Sequence, residues 1–360
     1  MAWPAVQRVL SMTVRSIGIV GCGLMGSHHA WALQQLRSAG LVEAELVLLH
    51  DLDPERAAAL SAETGVPVAD SLQALVEAVD VVWVTTWTAG HLEPCEVAAS
   101  AGRAVFVEKP LAPDLATCEQ LAAVLRPVPH QVGLVLRHAP AYRWIAEAVQ
   151  SGRYGAPMGA FFRDDQRLPV GGTYGSDWRA DATRSGGGTL VEHSVHDVDV
   201  LAWVLGEPVA VSARTSGFAG IPGVEDLASV RLDFADGASA GLLSVWHRVE
   251  GRASRRLEVH CTQGVLWMDE EVGPVHVQTG SGTEVVHVPF PRVLDGLPLA
   301  EVPDYWRNAA AGLALQAKAF LDGLEADKQG WPSVEEALVA HRTVDAAYRS
   351  AAAGGGLVRL

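Results

Sequence analysis

The stretch Ile17-Gly18-Ile19-Val20-Gly21-Cys22-Gly23-Leu24-Met25-Gly26 runs from an apolar strand straight into a glycine-rich turn and the opening of a helix. Gly21 suits a tight turn, Gly23 lets backbone approach a pyrophosphate, and Gly26 lets helix and strand pack closely. A helix that opens here turns unpaired N–H groups toward an anion. In that context the spacing predicts a dinucleotide-binding turn, with Gly21, Gly23, Leu24, Met25 and Gly26 as cofactor-binding residues.

Outward from this turn, short apolar runs alternate with amphipathic segments as far as Arg137. Strands are predicted at Ile17–Val20, Leu46–Leu49, Val81–Val84, Val105–Val107 and Val132–Leu136. Helices are marked by Asp53-Pro54, by Ser71 and by Pro113-Asp114 at their starts. Such alternation means a parallel sheet wrapped by helices, so residues 14–137 read as a doubly wound Rossmann domain for NAD(P). The second strand ends at Asp51, close to the separation from Gly26 at which a carboxylate accepts hydrogen bonds from an adenosine ribose. Asp51 repels a 2′-phosphate and so favours NAD. Arg56 softens that preference and keeps NADP as the alternative, and Asp53 competes as a helix cap. The fourth strand delivers Glu108-Lys109-Pro110 to the carboxyl edge of the sheet, where ligands of open α/β sheets bind.

A chain of 360 residues suggests two domains. Its formal net charge of −15 repels a phosphate backbone, and no basic cluster offsets it, so nucleic acid is not an expected partner. Cys22, Cys95, Cys118 and Cys261 show no CxxC spacing. Residues 1–13 make a poor signal peptide and read as a loose leader, which points to reduced thiols in a cytoplasmic protein. No apolar run is long enough to span a membrane.

Beyond Arg137 the pattern changes. A helix at Ala141–Gln150 precedes strand-like segments at Gly159–Phe162, Val209–Ala213, Ala228–Phe234, Ala238–Trp246, Leu257–Cys261, Val265–Met268 and Val285–Val288. Hairpin signals at Asp236-Gly237 and Gln263-Gly264 imply an antiparallel sheet. Helical periodicity returns at Tyr305–Leu324 and Ser333–Ser350. Residues 138–360 therefore read as a substrate-binding and oligomerisation domain, with the C-terminal helix able to pack back on the first.

Within it, Gly186-Gly187-Gly188 precedes an apolar helical stripe from Leu190 to Leu205 that stops at Gly206. On one continuous helix Glu192 and His196 fall four apart on one face, where the carboxylate orients the imidazole and supports its protonated form. Glu192, His193 and His196 also resemble metal ligands, but no further His or Cys pair is spaced to complete a shell, so no metal is expected. Trp178-Arg179, between two glycine-rich loops, is the pair best placed among the eleven tryptophans to meet a sugar face.

Taken together, the glycine turn, Glu108-Lys109-Pro110 and the segment from Gly186 to His196-Asp197 resemble the glucose–fructose oxidoreductase and inositol dehydrogenase (Gfo/Idh/MocA) family. Trp178-Arg179 ahead of the glycines and a closing helix after Trp331-Pro332 extend the resemblance over nearly the whole chain. It implies an NAD(P) domain followed by an α/β domain with a large open antiparallel sheet whose outer face makes a dimer or tetramer. It further implies catalysis by a lysine and by an aspartate and histidine four apart, which fall on Lys109, Glu192 and His196. Glu192 departs from the aspartate, and the Thr-Pro-Asn loop that the resemblance puts after a fourth strand reads Thr86-Trp87-Thr88, with Thr86 still facing the cofactor. Glu108 and Lys109 join the cofactor-binding set.

The expected reaction is oxidation of a secondary alcohol on a sugar, cyclitol or related polyol. His196 removes the hydroxyl proton, Lys109 stabilises the oxygen and Glu192 orients His196. Lys109, His196, Trp178, Arg179 and Arg137 are the predicted substrate-binding residues. A glycosidase, lyase or epimerase that uses NAD transiently would need the same groups. A non-catalytic dinucleotide-binding regulator would not need the acid–base pair.

Overall fold

The computed structural model describes residues 14–171, 176–250, 254–270 and 273–360, with no side-chain description at 304–306. The leader at 1–13 and residues 172–174 of the Leu168–Tyr174 loop lie outside the described residues.

The first lobe runs β1 (Arg15–Val20), α1 (Leu24–Ser38), β2 (Ala44–His50), α2 (Pro54–Thr64), α3 (Leu72–Ala78), β3 (Val81–Val84), α4 (Leu92–Ser100), β4 (Ala104–Val107), α5 (Leu115–Leu125) and β5 (His130–Val132). Its five strands lie parallel in the order β2-β1-β3-β4-β5. Every residue of β3 and β4 is buried, as expected of apolar runs covered on both faces. The order reverses between β1 and β3, and the crevice there is where such sheets bind ligands. Asp53 caps α2 through the N–H groups of Glu55 and Arg56, and Asp114 caps α5 through Thr117.

Two first-lobe expectations need correction. The predicted strand at Val132–Leu136 is instead His130–Val132, followed by a 3₁₀ turn at Val135–His138. Gly133 follows the strand where no side chain would fit, because the Glu108 carboxylate lies 2.7 Å from where a Cβ would sit. The Thr86-Trp87-Thr88 loop follows the third strand, not a fourth.

The second lobe comprises α6 (Pro140–Gln150), β6 (Pro157–Arg167), α7 (Ala182–Ser185), α8 (Thr189–Glu192), α9 (Val195–Leu205), β7 (Pro208–Ser216), β8 (Leu227–Phe234), β9 (Ser239–His247), β10 (Ser254–Cys261), β11 (Gly264–Met268), β12 (Val275–Thr279) and β13 (Gly282–Val286). Two long helices, α10 (Asp304–Glu325) and α11 (Val334–Ala352), precede a terminal β14 (Val358–Arg359). The nine strands are ordered β13-β12-β11-β10-β6-β9-β8-β7-β14. Both predicted hairpins form. The sheet is not wholly antiparallel, because β6 inserts between β9 and β10 and runs parallel to β9. Pairing on both sides carries β6 through the polar run Arg163 to Arg167, which apolar patterning does not reveal.

One sheet face packs on α6, α9 and α11 around Tyr142, Phe162, Leu201 and Leu257. α10 returns to the first lobe, where Phe320 meets the stacked pair Trp83 and Phe106 beneath β3 and β4.

Candidate active site

A cavity of about 860 Å³ opens along the carboxyl edge of the first sheet and reaches the second lobe. Gly21, Cys22, Gly23, Leu24, Met25, Asp51, Thr86, Glu108, Lys109, Trp178, Arg179 and Glu192, all predicted site residues or their neighbours, line it. His193 lines it as well, whereas His196 and Arg137 lie outside its wall.

At the first-lobe end the turn is locked by close approach. A Cβ on Gly26 would collide with the carbonyl oxygen of Gly21, and that carbonyl also accepts the Thr85 hydroxyl at 2.7 Å. Gly23, by contrast, faces open space, with only an Arg56 nitrogen 3.9 Å from a Cβ there. No side chain caps α1, whose first N–H groups therefore remain for an anion. Asp51 sits beside the turn, its oxygens accepting the N–H groups of Cys22 (2.6 Å) and Asp53 (2.8 Å). An uncapped helix start, an open glycine and a carboxylate at the second strand end fit a dinucleotide. When bound there, it would be held by the turn at its phosphates and by Asp51 at its adenosine ribose.

Glu108 is an anchor within the wall. Its carboxylate takes a hydrogen bond from buried His29 at 2.8 Å and one from the Lys109 N–H at 3.0 Å. Burial works against its ionised form, but His29 and Lys109 together hold the carboxyl below the usual range. Just beyond, the Leu111 N–H donates to His341 Nε2 on α11 (3.0 Å) and the Leu111 carbonyl is 3.2 Å from His91 Nδ1. Neither histidine was legible as part of the site, because the contact from α11 crosses 230 residues.

Lys109 extends from this anchored loop into the second lobe, where Nζ donates to the main-chain oxygen of Glu192 at 2.7 Å. Burial pulls the ammonium below the usual lysine range; Glu192 and Glu108 oppose the shift, while Arg179 and Arg255 add to it. The Glu192 carboxylate accepts from Thr88 Oγ1 (2.7 Å) and Arg179 Nε (3.1 Å).

Glu192 and His196 do not share one helix, contrary to the sequence expectation. α8 ends at Glu192 and α9 begins at Val195. The break has a cause in β9: the Ser194 hydroxyl donates to Ser244 (2.6 Å) and the Trp246 indole donates to His193 Nδ1 (3.0 Å), pulling both residues toward the sheet. His196 is buried, with Nδ1 lacking a partner among the described residues. Burial first, then the charges of Lys109 and Arg255, hold its imidazole neutral well below the ordinary histidine range. The expected support for its protonated form is therefore reversed. His193 is also kept neutral, down to about 3, chiefly by burial.

Ahead of α8, the Gly188 and Leu190 N–H groups donate to the Glu225 carboxylate at 2.7 and 2.9 Å. A side chain at Gly188 would collide with the Glu225 main chain. The Arg137 guanidinium is committed to a buried two-point pair with Asp199, 2.8 Å at each contact, between the rings of Trp203 and Trp331.

Residues 15–134 match an oxidoreductase family with an NAD-binding Rossmann fold (GFO_IDH_MocA), and residues 142–267 match the GFO/IDH/MocA C-terminal domain. The chain belongs to the GFO/IDH/MocA family. Among relatives, an inositol 2-dehydrogenase of Rhizobium meliloti is 29% identical over 95% of this chain and 98% of its own. A 1,5-anhydro-D-fructose reductase of Ensifer adhaerens is 30% identical over 74% of this chain and 80% of its own. A levoglucosan dehydrogenase solved with NADH and levoglucosan superposes with a TM-score of 0.84 over 96% of this chain and 99% of that one, a likeness of fold at 21% identity. The protein is thus an NAD-dependent oxidoreductase family member built as an α/β chain, a Rossmann sheet followed by a large, mostly antiparallel sheet. Among the described residues no helix is long and apolar enough to cross a membrane.

Proposed function

We propose that this GFO/IDH/MocA chain catalyses reversible oxidation of a secondary alcohol on a sugar, cyclitol or related polyol. The observation that carries the reading is the reach of Lys109 Nζ from the first lobe to the Glu192 oxygen of the second, inside the cavity that begins at the glycine turn. NAD, when bound, supplies the acceptor for the carbinol hydride. Lys109 hydrogen-bonds the reacting oxygen and stabilises the negative charge that develops there as the hydroxyl proton leaves. Neutral His196 receives the hydroxyl proton. Glu192 acts as a positioning residue through Arg179 and Thr88 rather than through His196. Trp178, with Arg179 stacked 4.3 Å above its ring, offers an apolar face to the sugar. Asp51 supports NAD over NADP, because a 2′-phosphate there would meet its charge.

We keep the boundary between residues 137 and 138 as part of this reading, with α10 and α11 crossing back to the first lobe. A homo-dimer or tetramer through the sheet face opposite α9 and α11 belongs to the same proposal, supported by Phe161, 49% exposed on that face. Four buried thiols support a reducing, cytoplasmic setting.

The test is a spectrophotometric screen of NAD and NADP against sugars, inositols and amino-cyclitols. NADH accumulating with at least one polyol, faster than NADPH, is the expected result. Product without net NADH would put transient oxidation in its place, and tight NAD binding without turnover would leave only a regulator.

A further inference from the structure

Two guanidinium groups line the second-lobe end of the cavity, and they differ in what already holds them. Arg179 is held at three points: Nε by Glu192, Nη1 by Ser176 at 2.9 Å, and its face by Trp178. Arg184, on α7, crosses to the first lobe and lies 4.6 Å from the centre of the Trp87 ring. Among the described residues its N–H groups make no hydrogen bond or ion pair. Stacking engages the face of a guanidinium and leaves its in-plane donors, whose fork matches a carboxylate.

The balance of charge points the same way. Glu192 is matched by Arg179, Glu108 acts on Lys109, and Arg184 has the exposed Asp181 as its charged neighbour without an ion pair among the described residues. Arg184 is left as the cation of this end without a hydrogen-bonded acid among the described residues, in a chain whose formal net charge is −15. Lys109 is engaged by the reacting oxygen in the reading above, and a neutral polyol would offer Arg184 hydroxyl acceptors but no opposite charge. One free fork answers one singly charged group better than a phosphate dianion. Resting on that reading, we infer that the substrate is a polyol acid and that Arg184, stacked on Trp87, binds its carboxylate.

The test measures affinity by tryptophan fluorescence on the NAD-loaded protein for matched pairs: glucuronate against glucose, galacturonate against galactose and gluconate against glucitol, with glucose 6-phosphate alongside. At least one acid is expected to bind about 10- to 100-fold more tightly than its neutral partner, the span of a hydrogen bond to a charged group. Arg184→Gln should bring that ratio close to one, and Arg184→Lys, which keeps charge without the fork, should leave it intermediate. No acid exceeding its partner, a phosphate binding more tightly than every acid, or Arg184→Gln weakening NAD and acid by the same factor would each overturn the inference. NADH formation is read separately. An acid that binds with the expected preference yet never reduces NAD would leave the carboxylate site standing and remove the oxidation reading.

Discussion

At the residue scale, the two titratable groups of the proposed chemistry are shifted in the same direction. Alcohol oxidation requires His196 neutral and Lys109 protonated. Burial and the Lys109 charge push His196 well below 6.5, and burial pulls Lys109 down from 10.5, so both limbs of the rate profile move to lower pH. The kcat/KM for oxidation should therefore stay level as pH falls through 6.5 and should drop at the alkaline side before 10.5. An acid limb at or above the ordinary histidine value would remove His196 as the base. Arg137 makes the opposite kind of prediction. Its Ala variant leaves Asp199 buried without a partner and should lower stability by about 3–5 kcal/mol, read from the urea midpoint. KM for substrate should hold steady, because Asp199 takes up the guanidinium's Nε and Nη2 and the Trp203 and Trp331 rings lie against it. Lys109 was legible because a charge at the end of an apolar strand has few structural reasons to be there. Arg137 was misjudged because sequence places it at the lobe junction without showing that Asp199, 62 residues on, takes up its guanidinium.

At the element scale, periodicity found nearly every helix but could not see where tertiary bonds override it. The stripe from Leu190 to Leu205 reads as one helix; Ser244 and Trp246 of β9 break it at His193 and Ser194. Polar pairing likewise extended β6 beyond its apolar run, and β5 stops at Val132, ahead of a Gly133 packed against the Glu108 carboxylate. The glycine run ahead of α8 is locked by a single acid. Tyr348 of α11 adds a hydrogen bond to Glu225 at 2.9 Å, alongside the Gly188 and Leu190 N–H groups. Glu225→Ala should leave those buried donors unsatisfied and lower stability by about 1–3 kcal/mol for each. An unfolding midpoint equal to wild type would show that the turn does not depend on this carboxylate.

At the scale of the whole molecule, two lobes are tied across the cleft by side chains that serve the site. Thr88 and Lys109 of the first reach Glu192 of the second, and His341 of α11 holds the backbone just after Lys109. Alternating strands and helices made the first lobe and its cofactor end readable. The joining of the lobes was not readable, because its contacts span 83 to 230 residues and leave no local pattern. The open face of the nine-stranded sheet belongs to this scale too. Phe161→Asp there should shift the sedimentation mass from a dimer or tetramer toward a single chain, and an unchanged monomeric wild type would refute the assembly.

The central claim is that an ammonium from one lobe and an imidazole from the other act on a single carbinol. A double-mutant cycle on NADH formation tests it most directly, using Lys109→Met, His196→Asn and the pair together, with NAD affinity measured on each. Each single variant should lower kcat by about 10²–10⁴-fold with NAD affinity near wild type. Because groups that act as a unit are not additive, the pair should fall little further than the worse single variant. Losses that simply multiply, or a variant of either residue that turns over at the wild-type rate, would contradict the account.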